Sequence, residues 1–85
     1  VDDDAMVRSI LTEYLAAMGF KNVRVAKDGD EALKIVQDSA VPIDLVISDW
    51  EMPEVTGLAL LKAVRNNPKR AHTPFIMVTS QRSME

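Results

Sequence analysis

The sequence predicts an α/β protein in which helices alternate with the strands of a parallel sheet. Apolar residues recur at helical spacing in three segments, and two runs of apolar or small residues, at 45–48 and 75–78, are typical of strands buried on both faces. Turn and capping residues separate these segments. Because strands that alternate with helices require crossover connections, we expect a parallel sheet with right-handed crossovers.

Composition indicates one globular domain over residues 1–85. The chain is 47% hydrophobic and 27% charged, which places it outside the disordered class. A net charge of -3 with scattered Lys and Arg argues against direct nucleic-acid or anionic-membrane binding by this segment. No apolar run approaches the roughly 20 residues of a membrane span. The lack of cysteine fits the cytoplasmic location that we expect.

The first helix is predicted to begin near residue 5 and to end before Gly19. Asp4 suits its N-cap, and Gly19 suits the left-handed position that follows a last helical turn. The apolar positions at helical spacing are Val7, Ile10, Leu11, Tyr14, Leu15 and Met18. These residues are expected to face the interior, and the opposite face is expected to carry Arg8, Thr12 and Glu13.

A strand and a second helix are predicted next. Alternating side chains over 23–26, closed by the turn residues 27–29, indicate a strand near an edge of the sheet. Asp30 is the candidate N-cap of the helix that follows, which is expected to end near Ser39.

The apolar run 45–48 leads directly into an acidic residue, Asp49. Pro53 excludes continued strand pairing soon afterwards, so Asp49 is expected at the carboxyl end of a central strand. In open α/β sheets, ligands bind at this end of the strands.

A third helix and a last strand complete the pattern. The helix is predicted to start at 56–57 and to be stopped by 66–68, and the strand 75–78 is followed by Thr79. The valine at position 1, directly before three aspartates, is expected to be the carboxyl end of a first strand whose body precedes it.

Acidic and hydroxyl residues follow the strands at one edge of the predicted sheet. If Val1 ends a strand beside the Asp49 strand, then Asp2 and Asp3 converge on Asp49, and three crowded carboxylates need a compensating cation. Oxygen ligands without histidine or cysteine favour Mg²⁺, with Mn²⁺ as the alternative. Thr79 adds a hydroxyl that can bind a phosphate oxygen. These groups together indicate phosphoryl transfer to an aspartate.

Simpler interpretations stay open for each part of this pattern. Asp2 and Asp3 could be a solvated acidic run at the start of a helix, and Asp49 alone could serve a turn. An aspartate-based phosphohydrolase would use an Asp-x-Asp pair on one strand, which Asp49-Trp50-Glu51 matches poorly.

Four motifs resemble the response regulator receiver domain of two-component signalling: Val1-Asp2-Asp3, the stretch 46–53, Gly57, and Val78-Thr79-Ser80. The likeness covers nearly all 85 residues and is strongest to the chemotaxis type. It implies a flavodoxin-like, doubly wound parallel sheet of strand order 2-1-3-4-5. Residues 1–85 would then be an incomplete receiver domain, truncated at both ends, without most of strand 1 and everything after strand 4.

The resemblance also implies a role for each site residue. Asp49 would accept a phosphoryl group from a histidine kinase or histidine phosphotransfer protein. Asp3 and Asp49 would bind Mg²⁺ by their side chains, Glu51 by its backbone carbonyl and Asp2 through a water. Thr79 would be the switch hydroxyl that controls a downstream output domain or protein. The chain would be a signalling phosphoacceptor rather than an enzyme, although the intact family catalyses its own phosphoryl transfer and dephosphorylation.

Departures from the family leave one alternative open. The family's lysine and switch aromatic on its fifth strand have no counterpart before Glu85, and Thr56 replaces an aspartate that is common before Gly57. The alternative is a receiver-like interaction scaffold that is not phosphorylated. Because unpaired strand edges invite pairing with another chain, a strand-exchanged oligomer is a further alternative for this fragment.

Overall fold

The computed structural model describes residues 1–78 as three helices packed beside a two-stranded parallel sheet. In chain order the elements are α1 (Ala5–Ala17), α2 (Gly29–Gln37), β1 (Val46–Asp49), α3 (Gly57–Asn66) and β2 (Phe75–Val78). Strands β1 and β2 pair in parallel, with Val46 opposite Phe75 and Asp49 opposite Val78. Within residues 1–78, none of the helices has the length and apolarity to cross a membrane.

Helix α1 has the two ends that the sequence predicted. Asp4 Oδ1 accepts a hydrogen bond from the Met6 amide at 2.9 Å, as an N-cap should. Gly19 has a φ of 98°, and the Phe20 amide donates to the Leu15 carbonyl at 3.0 Å. This is the Schellman arrangement that ends a helix with a left-handed glycine.

The predicted orientation of α1 is wrong in part. Tyr14 is 64% exposed and Ile10 is also exposed, whereas Arg8 and Thr12, predicted to face solvent, are half-buried. Both inward polar side chains have partners: Arg8 Nη1 donates to the Asp2 carbonyl and Thr12 Oγ1 to the Arg8 carbonyl. Helix α1 has no fully buried residue.

The strand predicted at 23–26 is not a strand in the structure. A strand needs a ladder of partners, and within residues 1–78 the segment accepts only one backbone hydrogen bond, from the Asp2 amide to the Ala26 carbonyl at 3.2 Å. The segment instead lines a groove of about 510 Å³, together with Ile43 and the first residues of β1.

The core lies between α2, α3 and β1. Asp28, not the predicted Asp30, caps α2, because its Oδ1 accepts the Glu31 amide at 2.8 Å. Helix α2 then packs against α3. The buried apolar residues of this core are Ala26, Ala32, Val36, Val46, Leu60 and Val64.

A buried arginine in the segment that follows α3 forms hydrogen bonds with the end of α2. Arg70 Nε donates to the Val36 carbonyl at 2.6 Å, and its Nη2 donates to the carbonyls of Asp38 and Val41, both at 2.8 Å. These bonds satisfy carbonyl groups at and beyond a helix C-terminus, where no intrahelical donor is available.

Strand β2 is half-buried rather than buried on both faces as predicted. Phe75 and Met77 are partly covered, but Ile76 is 49% exposed and Val78 is also exposed. This alternation is typical of a sheet that is covered on one face. Within residues 1–78, the second face of β2 has no such cover.

Candidate functional site

Two strand-like hydrogen bonds bring the first residues of the chain beside Asp49. The Asp49 amide donates to the Val1 carbonyl at 2.8 Å, and the Val1 amino group donates to the Ile47 carbonyl at 2.6 Å. On its other side, the Asp2 amide donates to Ala26. Val1 therefore lies parallel to β1, and the residues that follow it emerge at the edge where β1 ends.

Three carboxylates meet at this edge. One oxygen from each of Asp2, Asp3 and Asp49 lies within 4.8 Å of the other two. Asp2 and Asp49 are each only 4% exposed, whereas Asp3 is exposed. The structure thus brings together the three acids that the sequence singled out, with two of them shielded from water.

The electrostatics of the cluster disfavour three full negative charges. Burial raises the pKa of the Asp2 carboxyl, and the nearby charges of Asp49 and Asp3 act in the same direction. A hydrogen bond from the Asp4 amide to Asp2 Oδ1, at 2.8 Å, opposes the increase. The negative charge of the Asp2 carboxylate is therefore disfavoured, and a bound proton or cation would stabilise this group.

One carboxylate oxygen of Asp49, Oδ1, is buried and has no hydrogen-bond donor within residues 1–78. Buried polar atoms are nearly always satisfied, so this atom indicates a site for a bound group. An all-oxygen donor set with two buried carboxylates fits a hard divalent cation such as Mg²⁺.

A short loop, residues 50–56, leaves the site and is anchored at both ends. The Gly57 amide donates to the Trp50 carbonyl at 2.9 Å, and the Met52 side chain is buried. Glu51, whose carbonyl was predicted to bind the metal, lies in this loop with its side chain exposed. Thr79, the predicted switch hydroxyl, lies outside the described residues.

Sequence reasoning missed the contribution of Arg8. Its guanidinium donates to the Asp2 carbonyl at 2.8 Å and so fixes the backbone that presents the first acids. An arginine on the first turns of a helix that follows an acidic run is a signal for such a contact. The helical pattern instead placed Arg8 on the solvent face.

Known proteins are similar to this chain in sequence and in structure. The sequence matches the response regulator receiver domain family over residues 1–85. It is 41% identical over 81 residues to a probable chemotaxis protein CheY of Rhizobium etli and 38% identical over 81 residues to the chemotaxis protein CheY of Pseudomonas aeruginosa. Both matches cover 95% of this chain, and they cover 61% and 64% of the relatives.

A solved structure of Vibrio cholerae chemotaxis protein CheY4 matches with a TM-score of 0.81 and 36% identity, over 96% of this chain and 66% of that one. The chain therefore spans less than two thirds of the length of these proteins. The structural match shows a flavodoxin-like α/β fold.

Proposed function

The chain belongs to the response regulator receiver domain family, and we propose that it is a phosphoacceptor in which Asp49 receives a phosphoryl group from a histidine kinase or histidine phosphotransfer protein. The proposal is supported by Asp49 Oδ1, which is buried inside a three-carboxylate cluster and has no hydrogen-bond partner among residues 1–78. A structural aspartate that ended a strand for turn reasons would have its oxygens capped by local amides. Among residues 1–78, no amide or side-chain donor bonds to this oxygen.

The proposed reaction is a displacement at phosphorus. A carboxylate oxygen of Asp49 attacks the phosphorus of a phosphohistidine, forming a P–O bond as the P–N bond breaks. The leaving nitrogen keeps the bonding electron pair, and the imidazole takes a proton from solvent. The product is an acyl phosphate on Asp49, and the protein's task is to position the nucleophile and to balance charge.

The carboxylate cluster would hold Mg²⁺, with Mn²⁺ as an alternative. In this proposal Asp3 and Asp49 bind the ion through their side chains, Asp2 through a water and Glu51 through its backbone carbonyl. When bound, the ion neutralises carboxylate charge and the charge of the incoming phosphoryl group. Support comes from the oxygen-only donor set and from the raised pKa of Asp2, which burial causes and which a cation would offset.

Phosphorylation would act as a switch. An added phosphoryl group brings about -1.5 to -2 charge units to the end of β1. We propose that Thr79 senses this group and that the change reaches an output domain or protein. A cytoplasmic location is part of the same proposal, as is strand exchange in an oligomer, since within residues 1–78 β2 pairs only with β1 and so has an unpaired edge.

Labelling by a small phosphodonor tests the assignment of Asp49. The protein is incubated with Mg²⁺ and acetyl phosphate or phosphoramidate, and acid-labile phosphate is measured. Wild type is expected to take up one phosphoryl group and Asp49→Asn none. Asp44→Asn is the matched control, because Asp44 is an exposed acid near the opposite end of the same strand.

Equal labelling of Asp49→Asn and wild type would exclude Asp49 as the acceptor. Absence of labelling in wild type and in every variant would favour the alternative, a receiver-like interaction scaffold.

A further inference from the structure

The first turn of α2 contacts the loop that carries Glu51, and Gly29 is the point of contact. A Cβ atom built on Gly29 would meet the Val55 carbonyl oxygen and would lie 2.6 Å from Val55 Cβ and 2.8 Å from Val55 Cγ1. Carbon atoms in proteins do not approach this closely, and the atoms met include backbone. Any side chain at residue 29 therefore requires either α2 or the loop to move.

The first turn of α2 is held too firmly to retreat. Asp28 Oδ1 accepts the Glu31 amide at 2.8 Å, and Glu31 Oε1 accepts the Lys27 amide at 2.9 Å, so side chains fix the turn from both directions. Further along the helix, Ala32 and Val36 are buried in the core against α3. Moving α2 would disturb these contacts.

The loop is the softer partner. Two backbone hydrogen bonds within it are the Val55 amide to the Pro53 carbonyl at 2.7 Å and the Gly57 amide to the Trp50 carbonyl at 2.9 Å. Glu54 has a φ of 66°, which non-glycine residues rarely adopt. Met52 is buried, but residues 53–56 have few internal bonds and one unusual backbone conformation, so this part of the loop is the one that yields when Val55 is pushed.

We propose that Gly29 is a positioning residue for the metal site: by having no side chain, it lets Val55 rest against α2 and so fixes loop 50–56, including the Glu51 carbonyl. The proposal rests on the function proposed for this site. It assigns a role in Mg²⁺ binding to a residue on a different element from the three carboxylates. A side chain at residue 29 is expected to weaken Mg²⁺ binding although Asp2, Asp3 and Asp49 are all intact.

Mg²⁺ titration of Gly29→Ala tests this role. Trp50, the only tryptophan of the chain, follows Asp49 and is 44% exposed, so its fluorescence can report binding; calorimetry gives an independent value. We expect the Kd for Mg²⁺ to rise about 10-fold, as is typical when a residue that orients a ligand is lost. Val36→Ala is the control for stability, because it creates a cavity in the same helix away from Val55. It is expected to lower the melting temperature and to leave the Kd unchanged.

A double variant separates positioning from general damage. Val55→Gly removes the two side-chain atoms that a Cβ at residue 29 would meet, and it leaves the carbonyl oxygen on a more flexible backbone that can shift. In this background Gly29→Ala is therefore expected to raise the Kd by a smaller factor than in wild type. If Gly29→Ala does not fold, Val55→Gly alone serves as the test, since loss of the contact should by itself raise the Kd.

The results that overturn the proposal are distinct from those that overturn the function. A wild-type Kd in Gly29→Ala, equal factors in both backgrounds, or an unchanged Kd in Val55→Gly rejects the positioning role. With Asp49 labelling and wild-type Mg²⁺ binding observed, such a result leaves the proposed function standing. Failure of wild type to bind Mg²⁺ rejects the metal site and the positioning role together.

Discussion

Replacing Asp49 by asparagine should make the metal-free protein more stable while it abolishes phosphorylation. Asp2 and Asp49 are both buried, with carboxylate oxygens no more than 4.8 Å apart. At that distance two unit charges repel by roughly 0.9 kcal/mol in water and by roughly 3.5 kcal/mol at an effective dielectric constant of about 20. We therefore expect Asp49→Asn to raise the free energy of unfolding by about 1–3 kcal/mol at neutral pH without metal.

Mg²⁺ should remove the higher stability of Asp49→Asn relative to wild type. A ligand at 100 times its Kd stabilises the folded state by about 2.7 kcal/mol, and Asp49→Asn loses a buried ligand for the ion. Thermal and urea unfolding of wild type, Asp49→Asn and Asp44→Asn should be compared in EDTA and in saturating Mg²⁺. For a domain of this size, about 1 kcal/mol corresponds to a change of roughly 4–8 °C in melting temperature.

The stability difference between Asp49→Asn and wild type is expected to depend on Mg²⁺. Asp49→Asn melts above wild type in EDTA, and wild type gains more from Mg²⁺ than the variant does. Asp44→Asn should follow wild type throughout, since Asp44 is exposed and far along the strand from the cluster. A variant that is less stable than wild type in EDTA would show that Asp49 is a structural residue, and the electrostatic argument would be refuted.

Three further predictions concern the supports of the site. Arg70→Met leaves the carbonyls of Val36, Asp38 and Val41 without their buried donor and should lower the free energy of unfolding by about 3 kcal/mol in urea titrations; a loss below about 0.5 kcal/mol would contradict this. In Gly57→Ala the new methyl group meets the Asp49 carbonyl and lies 2.7 Å from Met77 Sδ, so labelling by acetyl phosphate should fall at least severalfold, and wild-type labelling would rule out this close contact. Burial raises the pKa of Asp2 in the folded protein above the ordinary value of 3.8. Between pH 3.8 and the pKa of the folded state, the folded protein therefore holds a proton that the unfolded chain has lost. Without metal, the free energy of unfolding should fall as the pH rises through this range, and it should fall less in Asp2→Asn.

Local patterns predicted the helices because helix ends are decided by neighbouring residues. The caps at Asp4 and Gly19 occur where the sequence placed them, and α3, which Thr56 caps, begins within the predicted start at 56–57. The error at α2 has a local cause too: Asp28 and Asp30 are both capable caps, and only the Asp28 carboxylate reaches the Glu31 amide. Propensity alone does not distinguish two acids that are two residues apart.

The errors in strand assignment and burial come from tertiary partners. A strand exists only where another strand pairs with it, so the alternating segment 23–26 could not be judged from its own residues. The run 75–78 has the composition of a doubly buried strand, but its burial depends on what covers its second face. The outward assignment of Arg8 failed because its hydrogen bond to Asp2 joins groups that only the fold brings together.

The sequence predicted which acids meet at the candidate site, but it did not predict which of them are buried. Because neighbouring parallel strands end at the same edge of a sheet, the acids that follow the strands, Asp2, Asp3 and Asp49, were expected to lie together there. That Asp2 is buried while Asp3 is exposed, and that Asp49 Oδ1 has no partner within residues 1–78, depends on side-chain placement that spacing does not encode. The close contact between Gly29 and Val55 is likewise visible only in three dimensions.

The position of the phosphoryl group decides whether Asp49 is the phosphoacceptor. The protein is phosphorylated with acetyl phosphate in Mg²⁺, the acyl phosphate is reduced with borohydride, and the modified peptide is identified by mass spectrometry. Reduction converts a phosphorylated aspartate to homoserine, so the residue is marked permanently. The phosphoacceptor account predicts homoserine at position 49 and at no other aspartate. Homoserine at Asp2 or Asp3, or its absence from a protein that has taken up phosphate, would contradict that account.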